Sequence, residues 1–102
     1  MRKGGFVYIL TTISNTALYT GVTAHLLQRM HQHRTHQFSG SFTDKYNCTK
    51  LVYYQAFEGI EAAIAEEKRI KGGSRKQKIR LIESLNPQWK DLFDEVESWD
   101  WR

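Results

Sequence analysis

Two short runs near the start of the chain, Phe6 to Thr11 and Leu18 to Val22, are β-branched and aromatic, and the polar stretch Thr12 to Thr16 between them holds Ser14-Asn15. Such residues suit a pleated, half-buried surface, and their spacing predicts a β-hairpin. A third run of the same kind, Lys50 to Phe57, lies between Asn47 and Gly59 and predicts a third strand.

The intervening and following segments change period. Ala24 to about His36 lacks Gly and Pro and carries Leu26, Leu27 and Met30 at helical spacing, which predicts a first helix. Ile60 to Lys71 predicts a second, with Ile60, Ala63, Ile64 and Ile70 on one side and a stop at Gly72-Gly73. Ser74 followed by Gln77 is a capping-box pattern, so a third helix begins there, with Ile79, Ile82 and Leu85 as its apolar face and Asn86-Pro87 as its end. Trp89, Phe93 and Val96 suggest a further short helix. A hairpin and one more strand cannot bury two faces alone. The order β-β-α-β-α-α therefore predicts an α+β fold: a three-stranded, mainly antiparallel sheet flanked by helices.

The chain has 102 residues, enough for one compact domain. Cys48 is its only cysteine, and no long apolar run is present, so neither an internal disulfide nor a membrane span is expected and the setting reads as cytoplasmic. The net charge of +4 conceals a split. Residues 1–90 hold 14 of the 15 Lys/Arg and 6 of the 11 Asp/Glu, a net +8, whereas residues 91–102 hold one Arg and five acids, a net −4. Residues 91–102 read as an acidic extension of the same domain. It is expected to fold back and partly shield the basic surface, and to be removable from Glu95 onward without unfolding.

Several residues break the core pattern. Glu67 points along the apolar direction of the second predicted helix, while Glu66 lies off it and reads as solvated. An inward carboxylate must meet a cation, a set of donors or a cleft open to water; a structural ion pair with Arg or Lys is the alternative to a functional role. Arg29 and His33, one turn apart, border the Leu26/Met30 stripe, where a fork of donors and a neutral-pH proton acceptor would suit phosphate chemistry and a solvated helix edge is the plainer account. Tyr8 and Tyr19 stand on one face if the hairpin pairs, with Gly21 leaving room beside them, although paired tyrosines also serve simply as sheet packing. His25, His31, His33 and His36 with Cys48 match no established zinc spacing, and no Gly-rich phosphate loop is present.

In this order and spacing, Tyr8, Tyr19, Gly21, Arg29, His33 and Glu67 resemble the GIY-YIG nuclease superfamily, the two signature triplets reading Phe6-Val7-Tyr8 and Tyr19-Thr20-Gly21. Phe42 to Asn47, Glu67 to Gly72 and Asn86 to Leu92 look like its small stand-alone bacterial branch, related to the catalytic domain of the excision-repair nuclease C subunit. Phe6 replaces the first glycine of the signature, and Val22 stands where several active relatives have Lys.

The resemblance implies residues 1–90 as the nuclease-like domain, with Tyr8, Tyr19, Arg29, His33 and Glu67 as catalytic residues. It implies one divalent metal, Mg²⁺ or Mn²⁺, on Glu67, Arg29 on the scissile phosphate, and Tyr8 helping to activate the attacking water. The expected activity is a metal-dependent endonuclease, possible in repair or processing, with nucleic acid as partner, DNA ahead of RNA. A non-catalytic nucleic-acid-binding module and a protein adaptor are the competing readings. For the binding surface, the run Lys68 to Arg80 carries seven basic residues and no acid, from which Lys68, Lys71, Arg75, Lys76 and Lys78 are taken as phosphate contacts. Lys45 joins them from the segment Phe38 to Tyr46, whose Phe38, Phe42 and Tyr46 would add base stacking.

Overall fold

The structure is a computed structural model and describes residues 4–35 and 41–99. Its elements follow in the order β1 (Gly5–Thr11), β2 (Leu18–Thr23), α1 (Leu26–Arg34), α2 (Phe42–Lys45), β3 (Lys50–Phe57), α3 (Ile60–Lys71), α4 (Arg75–Leu85) and α5 (Phe93–Glu97). The sheet order is β2-β1-β3 and both pairings are antiparallel, as the alternation predicted. The central strand β1 is buried throughout its length.

Because successive β1 side chains point to opposite faces, the strand feeds two cores. Phe6, Tyr8 and Leu10 pack with Leu26 and Met30 of α1 and with Phe93 and Val96 of α5. Val7 and Ile9 pack on the other face with Ala63 and Ile70 of α3 and Ile82 of α4. The pairing of β1 with β3 steps from Ile9↔Tyr53 to Leu10↔Leu51, so Val52 is the extra residue of a β-bulge. The outer edge of β3 is covered rather than left open. Asn86 donates Nδ2–H to the Val52 carbonyl (3.1 Å), the Leu92 amide donates to the Leu51 carbonyl (2.7 Å), and the Leu51 amide donates to Asp91 (3.2 Å).

Four expectations change. The first helix begins at Leu26, not Ala24, because Thr23 Oγ1 accepts the His25 amide (3.0 Å) and holds a turn there; His36 lies outside the described residues. Ile64 and Leu85 are exposed, leaving Ala63, Ile70 and Ile82 to seat α3 and α4 on the sheet. Trp89 is not helical but sits at φ 56, its indole donating to Glu83 (2.9 Å).

The fourth change concerns the acidic end. Up to Trp99 it folds back, but onto α1 and β3, on the sheet face away from α3 and α4. Asp91 pairs with Arg34, Glu97 lies 3.6 Å from His31, and Tyr54 donates to Glu95 (2.6 Å). Val96 is fully buried and Trp99 stacks on Phe6, so removal from Glu95 onward would open the core. Asp100, Trp101 and Arg102 lie outside the described residues.

Candidate active site

Tyr8 sits at the middle of β1, opposite Gly21 of β2. Its ring lies across that glycine: a Cβ on Gly21 would come within 2.4 Å of both Cζ and Oη of Tyr8. The close approach of the phenol is what requires glycine here. Tyr19 pairs with Leu10, one diagonal step along the same face, and its ring centroid is 6.3 Å from that of Tyr8.

The helix α1 brings Arg29 and His33 over these rings. His33 is buried, with its ring centroid 5.9 Å from Tyr8 and 5.8 Å from Tyr19. Its Nε2 is 3.1 Å from Tyr8 Oη, and its Nδ1 is 3.0 Å from Thr43 Oγ1, which lies 3.1 Å from Ser41 Oγ. Burial raises the Tyr8 phenol well above its ordinary pKa; Tyr19 adds to the rise, Arg29 opposes it by charge and hydrogen bond, and the Glu67 carboxylate adds further. Burial, with the Arg29 charge beside it, lowers His33 from 6.5 to about 4. At neutral pH the phenol therefore keeps its proton and the imidazole is neutral, with one donor and one acceptor nitrogen. Arg29 donates to the phenol oxygen, which His33 Nε2 meets from the other side.

Glu67 reaches the same place from α3, which packs chiefly on β1 and β2. Its side chain is only 14% exposed and pairs with Lys71 Nζ at 3.1 Å, one turn on; Lys71 is 51% exposed and stands 5.9 Å above the Tyr19 ring. The pair is thus open to solvent on the lysine side. Among the described residues no three His, Cys, Asp or Glu side chains assemble as a metal cluster. Glu66 is not the freely solvated residue expected: its side chain is 20% exposed and holds Arg69 through two hydrogen bonds, 2.7 and 2.6 Å.

The structure thus brings Tyr8, Tyr19, Arg29, His33 and Glu67 together. The basic residues are more dispersed. Lys68 lines a groove of about 620 Å³ between α3 and α4, with Arg69, Lys78 and Arg80 also on its wall. Lys78 donates to the Gly73 carbonyl (2.7 Å) and Arg75 to the Thr16 carbonyl (3.1 Å), so both also serve the fold, whereas Lys76 is exposed. Lys45 lies 5.5 Å above the Tyr46 ring, at the end of an aromatic ladder running from Tyr19 to Phe42 (6.1 Å, stacked) to Tyr46 (4.7 Å). Phe38 lies outside the described residues.

Two partners escape a periodicity search. Thr43 orients His33 from α2, a helix of four residues, too short to show a period; its signal is Ser41 followed by Asp44, since the Ser41 hydroxyl accepts the Asp44 amide (3.3 Å). Lys71 as the partner of Glu67 is visible only as an i, i+4 spacing.

Comparison with known proteins agrees with this fold. A family model described as the GIY-YIG catalytic domain matches residues 4–80. A UPF0213 protein from Syntrophus aciditrophicus is 31% identical over 83 residues, covering 81% of this chain and 93% of its own. One from Clostridium perfringens is 37% identical over 91 residues, covering 89% and 96%. The solution NMR structure of a UPF0213 protein from Bacillus halodurans superposes with a TM-score of 0.55 at 26% identity, covering 85% of this chain and 90% of that one. Matched by this family model over residues 4–80, the chain belongs to the GIY-YIG family.

Proposed function

We propose that this protein is an endonuclease that hydrolyses phosphodiester bonds in nucleic acid, DNA ahead of RNA, with one divalent metal, Mg²⁺ or Mn²⁺, held at Glu67. The observation that carries this reading is the meeting of a protonated phenol, a neutral imidazole, a guanidinium and a shielded carboxylate whose lysine partner faces solvent. Hydrolysis of a phosphodiester needs a positioned water, a neutralised phosphate and a sink for one proton.

Arg29 supplies paired donors to the scissile phosphate's oxygens. Tyr8 is fully buried, and its phenol serves the site by accepting from Arg29 and holding the guanidinium in place. His33 and Thr43 in turn hold the phenol in its position. The donor set at Glu67 fits a hard cation: one mostly shielded carboxylate that already holds a positive group, with substrate and water oxygens left to complete the shell. When bound, such a cation supplies charge neutralisation at the phosphate and a water of lowered pKa.

The groove between α3 and α4, with Lys68 and Arg80 on its wall, is the reading for the flanking backbone, and the Tyr19–Phe42–Tyr46 ladder for an unpaired base beside the site. The test is incubation of purified protein with branched, nicked, single-stranded and duplex substrates in Mg²⁺, Mn²⁺ and chelator. Metal-dependent cleavage of any of them supports the proposal. Salt-sensitive binding with no cleavage under any condition would make the chain a binding module.

A further inference from the structure

The Glu67–Lys71 pair has one half in the site and the other at its mouth. Glu67 is 14% exposed while Lys71 is 51% exposed, the Nζ lying 3.1 Å from the carboxylate and 5.9 Å from the centroid of the Tyr19 ring. A shielded carboxylate is stabilised by a cation beside it. Lys71 fills that role from the next turn of its own helix, so a divalent metal arriving at Glu67 competes with the ammonium for the carboxylate.

From this we infer that Lys71 is an exchangeable counter-ion that couples metal binding to nucleic-acid binding. The inference rests on the reading of Glu67 as the metal's anchor. Without metal, Lys71 is engaged with Glu67 and lends little to a phosphate. With metal, the ammonium is released at the mouth of the site beside Tyr19, whose ring face holds a cation favourably, and there it meets the backbone that enters between Tyr19 and the groove. The side chain that opposes the metal in the free protein thus joins the substrate contacts in the loaded one. Linkage makes the effect mutual: metal tightens nucleic-acid binding, and nucleic acid tightens metal binding by the same factor. The order of assembly is thereby biased, because phosphate is gripped hardest when the cation is already in place.

The size follows from the environment. A half-exposed ion pair is worth up to about 1 kcal/mol, so releasing it changes metal affinity by roughly three- to fivefold. A released lysine on one phosphate adds about one to the slope of log affinity against log salt.

The test combines two readouts that need no cleavage. Mn²⁺ affinity is measured by titration calorimetry without nucleic acid, and binding of a DNA duplex, verified as intact on a gel after each titration, is measured against salt, in chelator and in Mn²⁺. Wild type is compared with Lys71→Met, which keeps the aliphatic stem, Lys71→Arg, which keeps the charge, and Glu67→Gln. Lys71→Met is expected to bind Mn²⁺ roughly three- to fivefold more tightly than wild type. It is also expected to lose about one unit of salt slope in Mn²⁺ but almost none in chelator. Lys71→Arg should restore both wild-type values. Equal Mn²⁺ affinity in wild type and Lys71→Met, or the same loss of slope with and without metal, would overturn the inference while leaving Glu67 as the anchor. Mn²⁺ affinity indifferent to Glu67→Gln would overturn the anchor and the coupling together.

Discussion

Adding a single methyl group at Gly21 tests whether the position of the Tyr8 phenol is set by the strand beneath it. An alanine there would put its Cβ 2.4 Å from Cζ and Oη of Tyr8, against a comfortable separation of roughly 3.5 Å, so the ring must retreat by on the order of 1 Å. The fully buried Tyr8 has little room to do so, and overpacking of this kind costs about 1–3 kcal/mol. The same retreat breaks the 3.1 Å hydrogen bond to His33, adding about 1 kcal/mol. Gly21→Ala is therefore expected to lose roughly 2–4 kcal/mol in urea melts. In a Tyr8→Leu background there is no phenol to strike, and alanine suits a strand no worse than glycine, so the same change should cost less than about 0.5 kcal/mol. The coupling energy between the two positions is then roughly 2 kcal/mol or more, and a cycle of four proteins measures it. Equal costs of Gly21→Ala in both backgrounds would refute the contact.

The remaining predictions concern the neighbouring groups. Folded His33 takes up a proton near pH 4 and the unfolded chain near 6.5, so between those values the unfolded state binds the extra proton and stability falls as pH falls, by at most about 3 kcal/mol once pH is below 4. His33→Gln is expected to flatten this part of the stability curve in pH-dependent urea melts, and an unchanged curve would contradict the assignment. Glu67→Gln, measured in chelator, is expected to shift stability by no more than about 1 kcal/mol, since Lys71 is half exposed. A much larger loss would identify a structural pair. Reversing Lys68 and Arg80 to Glu is expected to weaken nucleic-acid binding at all sequences alike and to lower the salt slope by about two, read by fluorescence anisotropy. An unaltered slope would place the backbone elsewhere.

Much of the site is legible in the chain because its placement follows from two periods. Alternation in a hairpin puts Tyr8, Tyr19 and Gly21 on one face, and a turn of helix puts His33 behind Arg29. The direction of Glu67 likewise follows from where Ala63 and Ile70 must point. What these periods cannot convey is contact between elements distant in sequence. Thr43 reaches His33 from a helix of one turn, and Arg34 finds Asp91 57 residues away, so neither has a local signature. The acidic end departs from its expected place for a related reason. Net charge suggested the basic run as its partner, but Phe93, Val96 and Trp99 are apolar anchors, and burying them against Phe6 and α1 outweighs the attraction between exposed charges. Ile64 and Leu85 show the converse: a helical stripe wider than the sheet beneath it leaves its margins in solvent.

Cleavage by Glu67→Gln beside wild type, on whichever substrate of the panel is cut, tests the central claim most directly. The substitution preserves shape and removes the charge that would hold a divalent cation. Wild type is expected to cut in Mn²⁺ and not in chelator, and Glu67→Gln, folded by its melt, to be slower by roughly two to four orders of magnitude. Cleavage that persists in chelator, or a Gln variant as fast as wild type, would contradict a metal-dependent phosphodiesterase at this site.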